Sequence, residues 1–300
     1  MQNNTQKLSF IAALKQKIED YKVLVKHRLN LLVVFSAAMA YITTVQGAFS
    51  WKELMILSLG GFLVTGASNA LNEVLEKDYD KQMKRTENRP LATGRMTTSE
   101  AVLAAGLMSL VGLMLLALFN PLTVLLGSLS LISYAFVYTP MKRVSPIAVL
   151  IGAFPGALPV LIGSVAVTGT ITPLGMSLFV IQFLWQFPHF WAIAWLADED
   201  YKAAGFNLLP SKEGRLDSSV GWNSFMYTLF MIPASVAPFA LGKTGAVSAI
   251  VLGIAAVVFA YFAFQLYRKC SREAARQLMF CSFFYLPIAQ IALVLDKMNQ

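Results

Sequence analysis

The chain has 300 residues, of which 57% are hydrophobic and only 13% are charged, and its mean hydropathy is +0.61. A soluble protein needs more charged residues than this to cover its surface. Apolar runs of about 20 residues recur without strand-like alternation, which indicates membrane-spanning helices rather than barrel strands. This composition excludes a soluble enzyme, a secreted disulfide scaffold, a fibre and a disordered chain.

The first predicted element is an N-terminal segment, residues 1–28, which is rich in Asn, Gln and Lys. From Ile11 to Val25 its pattern is amphipathic, and it lacks the small-residue cleavage site of a signal peptide. We expect an interfacial helix on the cytoplasmic surface, followed by a membrane domain over residues 29–300. Nine spans are predicted in that domain, at roughly 29–46, 54–75, 99–119, 121–139, 146–168, 173–197, 221–241, 245–267 and 277–296.

The distribution of Lys and Arg tests this arrangement, because loops on the cytoplasmic side carry an excess of both. With nine spans, 21 of the 24 basic residues fall on one side, and only Lys52, Lys243 and Lys297 fall on the other. The rule therefore places the N-terminus in the cytoplasm and the C-terminus outside. This topology explains most of the net charge of +8, so the charge does not require nucleic acid as a partner. The rest of the positive charge is available to bind an anionic substrate on the cytoplasmic side.

Two basic residues, Lys26 and Arg28, stand at the entrance of the first predicted span, on either side of His27. Long basic side chains at such positions commonly extend to the membrane surface. The other interpretation is contact with a substrate carboxylate or diphosphate at this entrance. The sequence leaves both interpretations open.

A row of polar residues crosses the end of the second predicted span. Residues four apart on a helix lie on one face, so Asn72, Glu76 and Asp80 form one row, with Asp80 at its water-accessible end. Amide and carboxylate oxygens at this spacing suit Mg²⁺, which binds a few such ligands together with substrate phosphate. The alternative is a mixed-charge loop that anchors the helix end at the membrane surface.

Basic residues follow this row directly. Lys84, Arg85 and Arg89 come within about three turns of it, and Arg binds phosphate through two parallel hydrogen bonds. Carboxylates and cations in one short segment predict a diphosphate held through Mg²⁺. The connection between the fourth and fifth spans brings Lys142 and Arg143 to the same side, as topology charges or as further diphosphate ligands.

The sixth predicted span carries a second polar face, formed by Gln182, Gln186 and His189. Polar groups inside a bilayer are costly, so each needs a partner or a function. A hydrogen-bonded seam between helices is the structural interpretation. A neutral imidazole that accepts a proton is the functional interpretation of His189.

A second acidic segment follows this span. Asp198, Asp200, Tyr201 and Lys202 emerge on the same side as the first row. Two acidic clusters on one side, each at a helix end and each with basic neighbours, indicate a two-metal diphosphate site in which Asp198 and Asp200 are ligands. A solvated loop at the end of a polar seam is the alternative.

At these residues the sequence resembles the UbiA superfamily of intramembrane prenyltransferases, and within it the branch that farnesylates haem. The superfamily's first motif, N-x-x-x-D-x-x-x-D, corresponds to Asn72, Glu76 and Asp80, with Glu in place of the middle Asp. The stretches MKRTENRPLATGRM, YTPMKR, GAFPGALPVLIGSVAVTG and WQFPHFW are similar to that branch. ADEDYKAAG resembles its D-Y-x-x-A-G pattern at Asp200 and Tyr201. The branch's entry motif usually reads K-P-R, and a histidine takes the proline position in this chain.

The resemblance implies an all-α integral membrane protein whose nine helices bundle around a central cavity, in the cytoplasmic membrane, with the active site facing the cytoplasm. It implies transfer of farnesyl from farnesyl diphosphate to a vinyl group of haem b with addition of water, with Mg²⁺ as cofactor. His189 would contact haem or take a proton from the attacking water. A downstream haem A synthase or terminal oxidase assembly is the expected recipient of the product.

Two other functions stay open on the sequence. A prenyltransferase for a quinone precursor or another aromatic acceptor would carry the same carboxylate rows, but the stretch from Met83 to Arg95 together with WQFPHFW favours haem. A transporter for an anionic metabolite would also place charges near helix ends, usually with repeats and broken helices at the bilayer midplane. The charges of this chain are predicted at the surface, which favours catalysis.

Overall fold

The computed structural model describes residues 2–206, 208–209 and 216–297, and side chains from residue 11 onward. Every regular element in these ranges is helical. The elements are α1 (Gln2–Leu24), α2 (His27–Thr44), α3 (Trp51–Asp80), α4 (Thr98–Ala117), α5 (Pro121–Ile132), a π-helix (Ser133–Tyr138), α6 (Thr139–Met141), α7 (Ala148–Thr168), α8 (Pro173–Leu196), α9 (Asp198–Ala203), α10 (Ser218–Ala240), α11 (Ala246–Lys269) and α12 (Arg272–Lys297).

Local signals in the sequence set where the long helices begin. The hydroxyl of Ser50 accepts a hydrogen bond from the amide of Glu53 at 3.2 Å and caps α3. Thr97 caps α4 in the same way. Asn120 caps α5, where Pro121 takes the first helical position. Each cap satisfies a backbone N–H that has no partner within its own helix.

Apart from α1, the long helices follow one another around a closed ring. Each contacts the next in chain order, with α5, the π-helix and α6 acting as one helix, and α12 contacts α2 to complete the ring. α7 also contacts α2 across the ring, and 72% of its most apolar stretch is buried, more than in any other candidate span. The packed centre of the bundle therefore lies along α7.

Two glycines allow close contacts between helix backbones. A Cβ atom at Gly163 of α7 would lie 2.1 Å from the backbone oxygen of Ala37 of α2. A Cβ atom at Gly221 of α10 would lie 2.3 Å from the backbone nitrogen of Tyr267 of α11. Both positions therefore require glycine, since helices in a membrane associate by close packing of their backbones.

The predicted membrane spans are confirmed in the coarser sense of several apolar helices. Among the described residues, six helices are long and apolar enough to cross a membrane, or up to seven if α1 and α2 form one bent span. α8 and α10 do not pass this test. In α8 the hydropathy is lowered by Gln182, Gln186 and His189 and by its tryptophans.

α1 is longer than the predicted amphipathic stretch and ends one residue earlier, at Leu24. The chain then bends by 50° into α2, and Lys26 at the bend adopts a left-handed conformation with φ 48°. Ile11, Leu14 and Ile18 are exposed at helical spacing along α1. This exposed apolar stripe is the face that an interfacial helix requires.

Candidate active site

The predicted polar row of Asn72, Glu76 and Asp80 lies along the last three turns of α3. All three side chains are buried, and both Asn72 and Asp80 are 0% exposed. The expectation that Asp80 lies at a water-accessible end is therefore wrong. Residues that follow α3 fold back over Asp80, so the row ends inside the protein rather than in solvent.

Each member of the row accepts a hydrogen bond from a basic side chain of a different part of the chain. The pairs are Lys26 Nζ with Asn72 Oδ1 at 2.7 Å, Lys142 Nζ with Glu76 Oε1 at 2.9 Å, and Arg89 Nη1 with the two carboxylate oxygens of Asp80 at 2.9 and 2.8 Å. These six side chains are called the charged cluster below. Because a buried charge without a partner is strongly destabilising, the cluster also holds the three segments together.

Lys142 reaches α3 through the π-helix and α6. The backbone N–H of Thr139 bonds to the carbonyl of Tyr134, five residues earlier, and the hydroxyl of Thr139 accepts a hydrogen bond from Asn72 Nδ2 at 3.1 Å. The ammonium of Lys142 lies 4.8 Å from the ring centre of Tyr138. Burial opposes the charge of Lys142, but the carboxylate of Glu76 outweighs it and raises the pKa of the ammonium. The pairing with Glu76 therefore favours the protonated form of Lys142.

Two carboxylates that the sequence interpretation missed position the loop after α3, residues 81–97. Glu73 is 0% exposed, and its Oε1 accepts a hydrogen bond from the amide of Leu91 at 3.2 Å. Asp20 of α1 accepts one from Arg95 Nε at 3.0 Å. Glu73 lies off the four-residue spacing of the row, and Asp20 is far from the loop in sequence. Spacing therefore gave no signal for either residue.

The second acidic segment forms α9, and Arg85 joins it to the loop after α3. Arg85 Nη2 donates a hydrogen bond to the hydroxyl of Tyr201 at 3.4 Å, and its guanidinium lies 5.7 Å from the centre of that ring. Asp198 Oδ2 pairs with Lys202 Nζ at 2.6 Å. A cavity of about 300 Å³, lined by Asp198, Tyr201, Lys202 and Phe206 among others, opens beside this segment.

The remaining predicted residues lie around these two groups. Arg143 donates a hydrogen bond to the hydroxyl of Tyr79, and its guanidinium lies 4.5 Å from the centre of that ring. Asp200 is half-buried on α9, whereas Lys84 and Arg28 are exposed. Lys26 thus joins the charged cluster, while its neighbour in the predicted entrance, Arg28, faces outward.

The polar face of α8 makes contacts between helices. His189 Nδ1 lies 2.8 Å from the hydroxyl oxygen of Ser282 on α12, and the imidazole stacks on Trp185 with ring centres 4.4 Å apart. Gln186 Nε2 donates to the backbone oxygen of Ala153 on α7 at 2.8 Å. These are the contacts that a hydrogen-bonded seam predicts.

The charged cluster offers oxygen ligands of the kind that Mg²⁺ prefers. Among the described residues, no three His, Cys, Asp or Glu side chains gather closely enough to hold a metal by themselves. The row supplies two carboxylates and one amide oxygen, and Mg²⁺ commonly binds one or two carboxylates together with substrate phosphate and water. The residues present therefore fit Mg²⁺ that binds together with a diphosphate, provided that Lys26, Lys142 and Arg89 turn from the row to the diphosphate.

Comparison with known sequences gives matches over nearly the whole chain. Residues 33–286 match the UbiA prenyltransferase family. The chain is 46% identical to a protoheme IX farnesyltransferase of Cytophaga hutchinsonii, over 94% of this chain and 98% of the relative. It is 39% identical to a protoheme IX farnesyltransferase of Christiangramia forsetii, over 93% of this chain and 94% of the relative.

Solved structures share the fold at low sequence identity. A digeranylgeranylglyceryl phosphate synthase superposes with a TM-score of 0.81 at 18% identity, covering 95% of this chain and 100% of that chain. A UbiA homologue of Archaeoglobus fulgidus bound to GPP and Mg²⁺ superposes with a TM-score of 0.68 at 14% identity, covering 92% and 99%. Fold and sequence agree, and the chain belongs to the UbiA prenyltransferase family and, within it, to the protoheme IX farnesyltransferases.

Proposed function

We propose that the protein transfers the farnesyl group of farnesyl diphosphate to a vinyl group of haem b, with addition of water, giving haem O and diphosphate. The observation that carries this proposal is the charged cluster, in a chain that belongs to the protoheme IX farnesyltransferases. Its three basic side chains come from three separate segments. Burial lowers the pKa of Lys26 to about 7, and a bound diphosphate would favour the protonated form of this lysine, so the diphosphate would meet positive charge from several sides. The carboxylates between these cations could share a metal ion with that diphosphate.

The transfer breaks the bond between C1 of farnesyl and the diphosphate oxygen, and both electrons leave with the diphosphate. Lys142 and Arg89 would stabilise this developing charge. Asn72, Glu76 and Asp80 would hold Mg²⁺, which supplies further neutralisation of the leaving group. The vinyl π electrons of haem b form the new carbon–carbon bond, and water adds to the resulting cation and releases one proton.

The segment around α9 completes the proposed site. Its contact with Arg85 and the cavity beside it support a second contact region for the diphosphate, formed by Tyr201 and Lys202. Asp198 and Asp200 are proposed as ligands of a second metal ion. Lys84 and Arg143 are proposed as further diphosphate ligands, and Arg28 as a contact for haem or the other substrate at the entrance of the first span.

We also infer that all of the long helices from α2 to α12 cross the membrane, which gives nine spans with α5, the π-helix and α6 as one. Residues 1–28 would lie on the cytoplasmic surface through the exposed stripe of α1, and residues 29–300 would form the membrane domain. This topology places the charged cluster at the cytoplasmic face of the cytoplasmic membrane. The product would pass to a downstream haem A synthase or terminal oxidase assembly.

The decisive experiment supplies purified protein with haem b, farnesyl diphosphate and Mg²⁺, and identifies the porphyrin product by mass. A parallel reaction offers a quinone precursor at the same concentration. We expect one porphyrin product that carries a farnesyl group and one added water. Prenylation of the quinone precursor with haem b left unchanged would contradict the proposed acceptor.

A further inference from the structure

An apolar groove runs along the membrane-facing side of α11 and α12, two helices that carry no residue of the candidate active site. Its volume is about 740 Å³. The side chains that line it include Val251, Val258 and Phe262 of α11 and Phe280, Phe284 and Ile288 of α12. Phe280 is 49% and Phe284 67% exposed, so the groove is open to whatever surrounds the bundle.

The length of the groove matches one leaflet of a bilayer. Its lining runs from Val251 to Phe262 on α11 and from Gln277 to Ile288 on α12. At 1.5 Å per residue, each wall is roughly 17 Å long. Half of the hydrocarbon core of a bilayer is about 15 Å thick. One acyl chain of a single leaflet therefore has the length of this groove.

The charge at one end of the groove suits a phosphate headgroup. Lys269 lies two helical turns beyond Phe262 on α11, so it is on the groove-facing side, and Arg276 lies near the start of α12, at the same end of the groove. The connection 268–276 carries four cations and a single carboxylate, that of Glu273, which pairs with Arg276. A net positive connection at the end of an apolar groove attracts anionic lipid.

We propose that this groove binds one anionic phospholipid, with an acyl chain between α11 and α12 and the phosphate at the connection 268–276. The opposite side of α12 holds α8, because the indole N–H of Trp185 donates to the backbone oxygen of Ser282 at 2.8 Å. A lipid wedged between α11 and α12 would therefore support the packing of α12 against α8. This proposal goes beyond farnesyl transfer and does not depend on it.

Two adjacent valines provide a matched test. Val258 lines the groove, whereas Val257 is 54% exposed on another side of α11. Phosphatidylglycerol added to the detergent-purified protein should raise Tm by about 3 °C or more for the parent and for Val257→Trp, but not for Val258→Trp. Phosphatidylcholine should raise it in none. Native mass spectrometry should find one phosphatidylglycerol on the parent and none on Val258→Trp.

A charge variant keeps the test decisive if Val258→Trp does not fold. The double variant Lys269→Gln/Arg276→Gln should lose the rise in Tm with phosphatidylglycerol. The control variant Lys52→Gln/Lys243→Gln should keep this rise, because Lys52 lies at the start of α3 and Lys243 between α10 and α11, far from the connection 268–276 in sequence. Equal responses to both lipids, or a response that survives in Lys269→Gln/Arg276→Gln, would overturn the proposal. So would recovery of farnesyl diphosphate, haem or a second copy of the chain as the occupant.

Discussion

The Asp80–Arg89 pair joins the ligand row to the loop after α3, and water reaches little of it: the side chain of Asp80 is 0% exposed and that of Arg89 is 13% exposed. Asp80→Asn keeps the volume and removes the charge. We expect this variant to fold but to lose turnover by about a hundredfold, because a neutral amide neither balances Arg89 nor serves as a metal ligand of equal strength. The measurement is the turnover number of the purified variant with farnesyl diphosphate and haem b.

A matched control lies two residues earlier. Asp78 is exposed and pairs with Lys81 on the helix surface, so Asp78→Asn should retain the parental turnover. Asp80→Ala is the less informative variant, because it also removes the side-chain oxygen that Asn keeps as a hydrogen-bond acceptor for Arg89, so the protein loses more stability. Parental turnover in a well-folded Asp80→Asn protein would remove Asp80 from the proposed metal site.

Substitutions of His189 distinguish a structural role of this residue from a catalytic one. Its bond to Ser282 and its stacking on Trp185 lead us to expect that His189→Gln, which retains hydrogen-bonding capacity, keeps most of the turnover and the melting temperature. His189→Leu should lower the melting temperature, because it removes a buried hydrogen bond between α8 and α12 that contributes about 0.5–1.5 kcal/mol. The Ser282 hydroxyl keeps its hydrogen bond to the backbone oxygen of Met279. Both quantities are measured on the purified variants.

Ser282→Ala is the control for this prediction, since it removes the partner and leaves the imidazole in place. If His189 acts on haem or on water, His189→Gln would lose turnover at an unchanged melting temperature while Ser282→Ala stays active. That pattern would restore His189 to the catalytic residues.

At the scale of residues, spacing predicted which side chains share a face but not what they bind. The row of Asn72, Glu76 and Asp80 follows from the geometry of one helix. Their partners come from segments that are distant in sequence, so Lys26 was predicted only at an entrance and Arg89 only as a ligand of diphosphate. Burial of the whole row depends on the fold of the loop over α3, which no local pattern encodes.

At the scale of elements, α1 is fastened to the loop after α3. Asp20 accepts a hydrogen bond from Arg95 at 3.0 Å, and Lys17 of α1 pairs with Glu100 of α4 at 2.8 Å. Asp20→Asn should loosen this attachment and raise KM for farnesyl diphosphate about fivefold, with a smaller change in kcat, because a bond to a charged partner contributes about 1 kcal/mol or more. Steady-state kinetics separate the two constants.

Glu19 provides the control for this attachment. It pairs with Lys22 at the surface, and its side chain is 61% exposed, so Glu19→Gln should leave both constants unchanged. A kcat that falls in Asp20→Asn while KM stays at the parental value would contradict a positioning role for α1.

Elements were easier to predict than the contacts between them. Long apolar runs that begin at Asn120–Pro121 or at Thr172–Pro173 predict helices, because the run is apolar and a capping residue precedes it. The π-helix within Pro121–Met141 could not be predicted from the sequence, because its residues are as apolar as the rest of the helix.

At the scale of the whole molecule, the side on which α9 lies decides between nine crossings and seven. If α8 and α10 both cross, α9 lies on the same side as the charged cluster; if neither crosses, it lies on the opposite side. In a background without Cys270 and Cys281, we expect Glu199→Cys to react with an impermeant maleimide only after permeabilisation. Lys52→Cys should react in intact cells.

Each variant serves as the control for the other, since Glu199 and Lys52 are both exposed. Labelling of Glu199→Cys in intact cells would mean that α8 and α10 do not cross the membrane. The distribution of basic residues predicts the orientation, but hydropathy alone counts fewer spans, because the polar residues that α8 uses against its neighbours make it look less like a membrane helix.

The π-helix, Ser133–Tyr138, affects which homologues keep Lys142 in the charged cluster. A π turn is an α-helix with one residue inserted, and each residue of an α-helix turns the chain by about 100°. Deletion of one residue within Ser133–Tyr138 would therefore restore a regular α-helix and leave Thr139 and Lys142 facing α3, whereas the same deletion within Pro121–Ile132 would turn both away from α3. In an alignment, a single gap in this apolar helix would therefore separate homologues that keep this cation from homologues that have lost it only where the gap lies outside the π-helix.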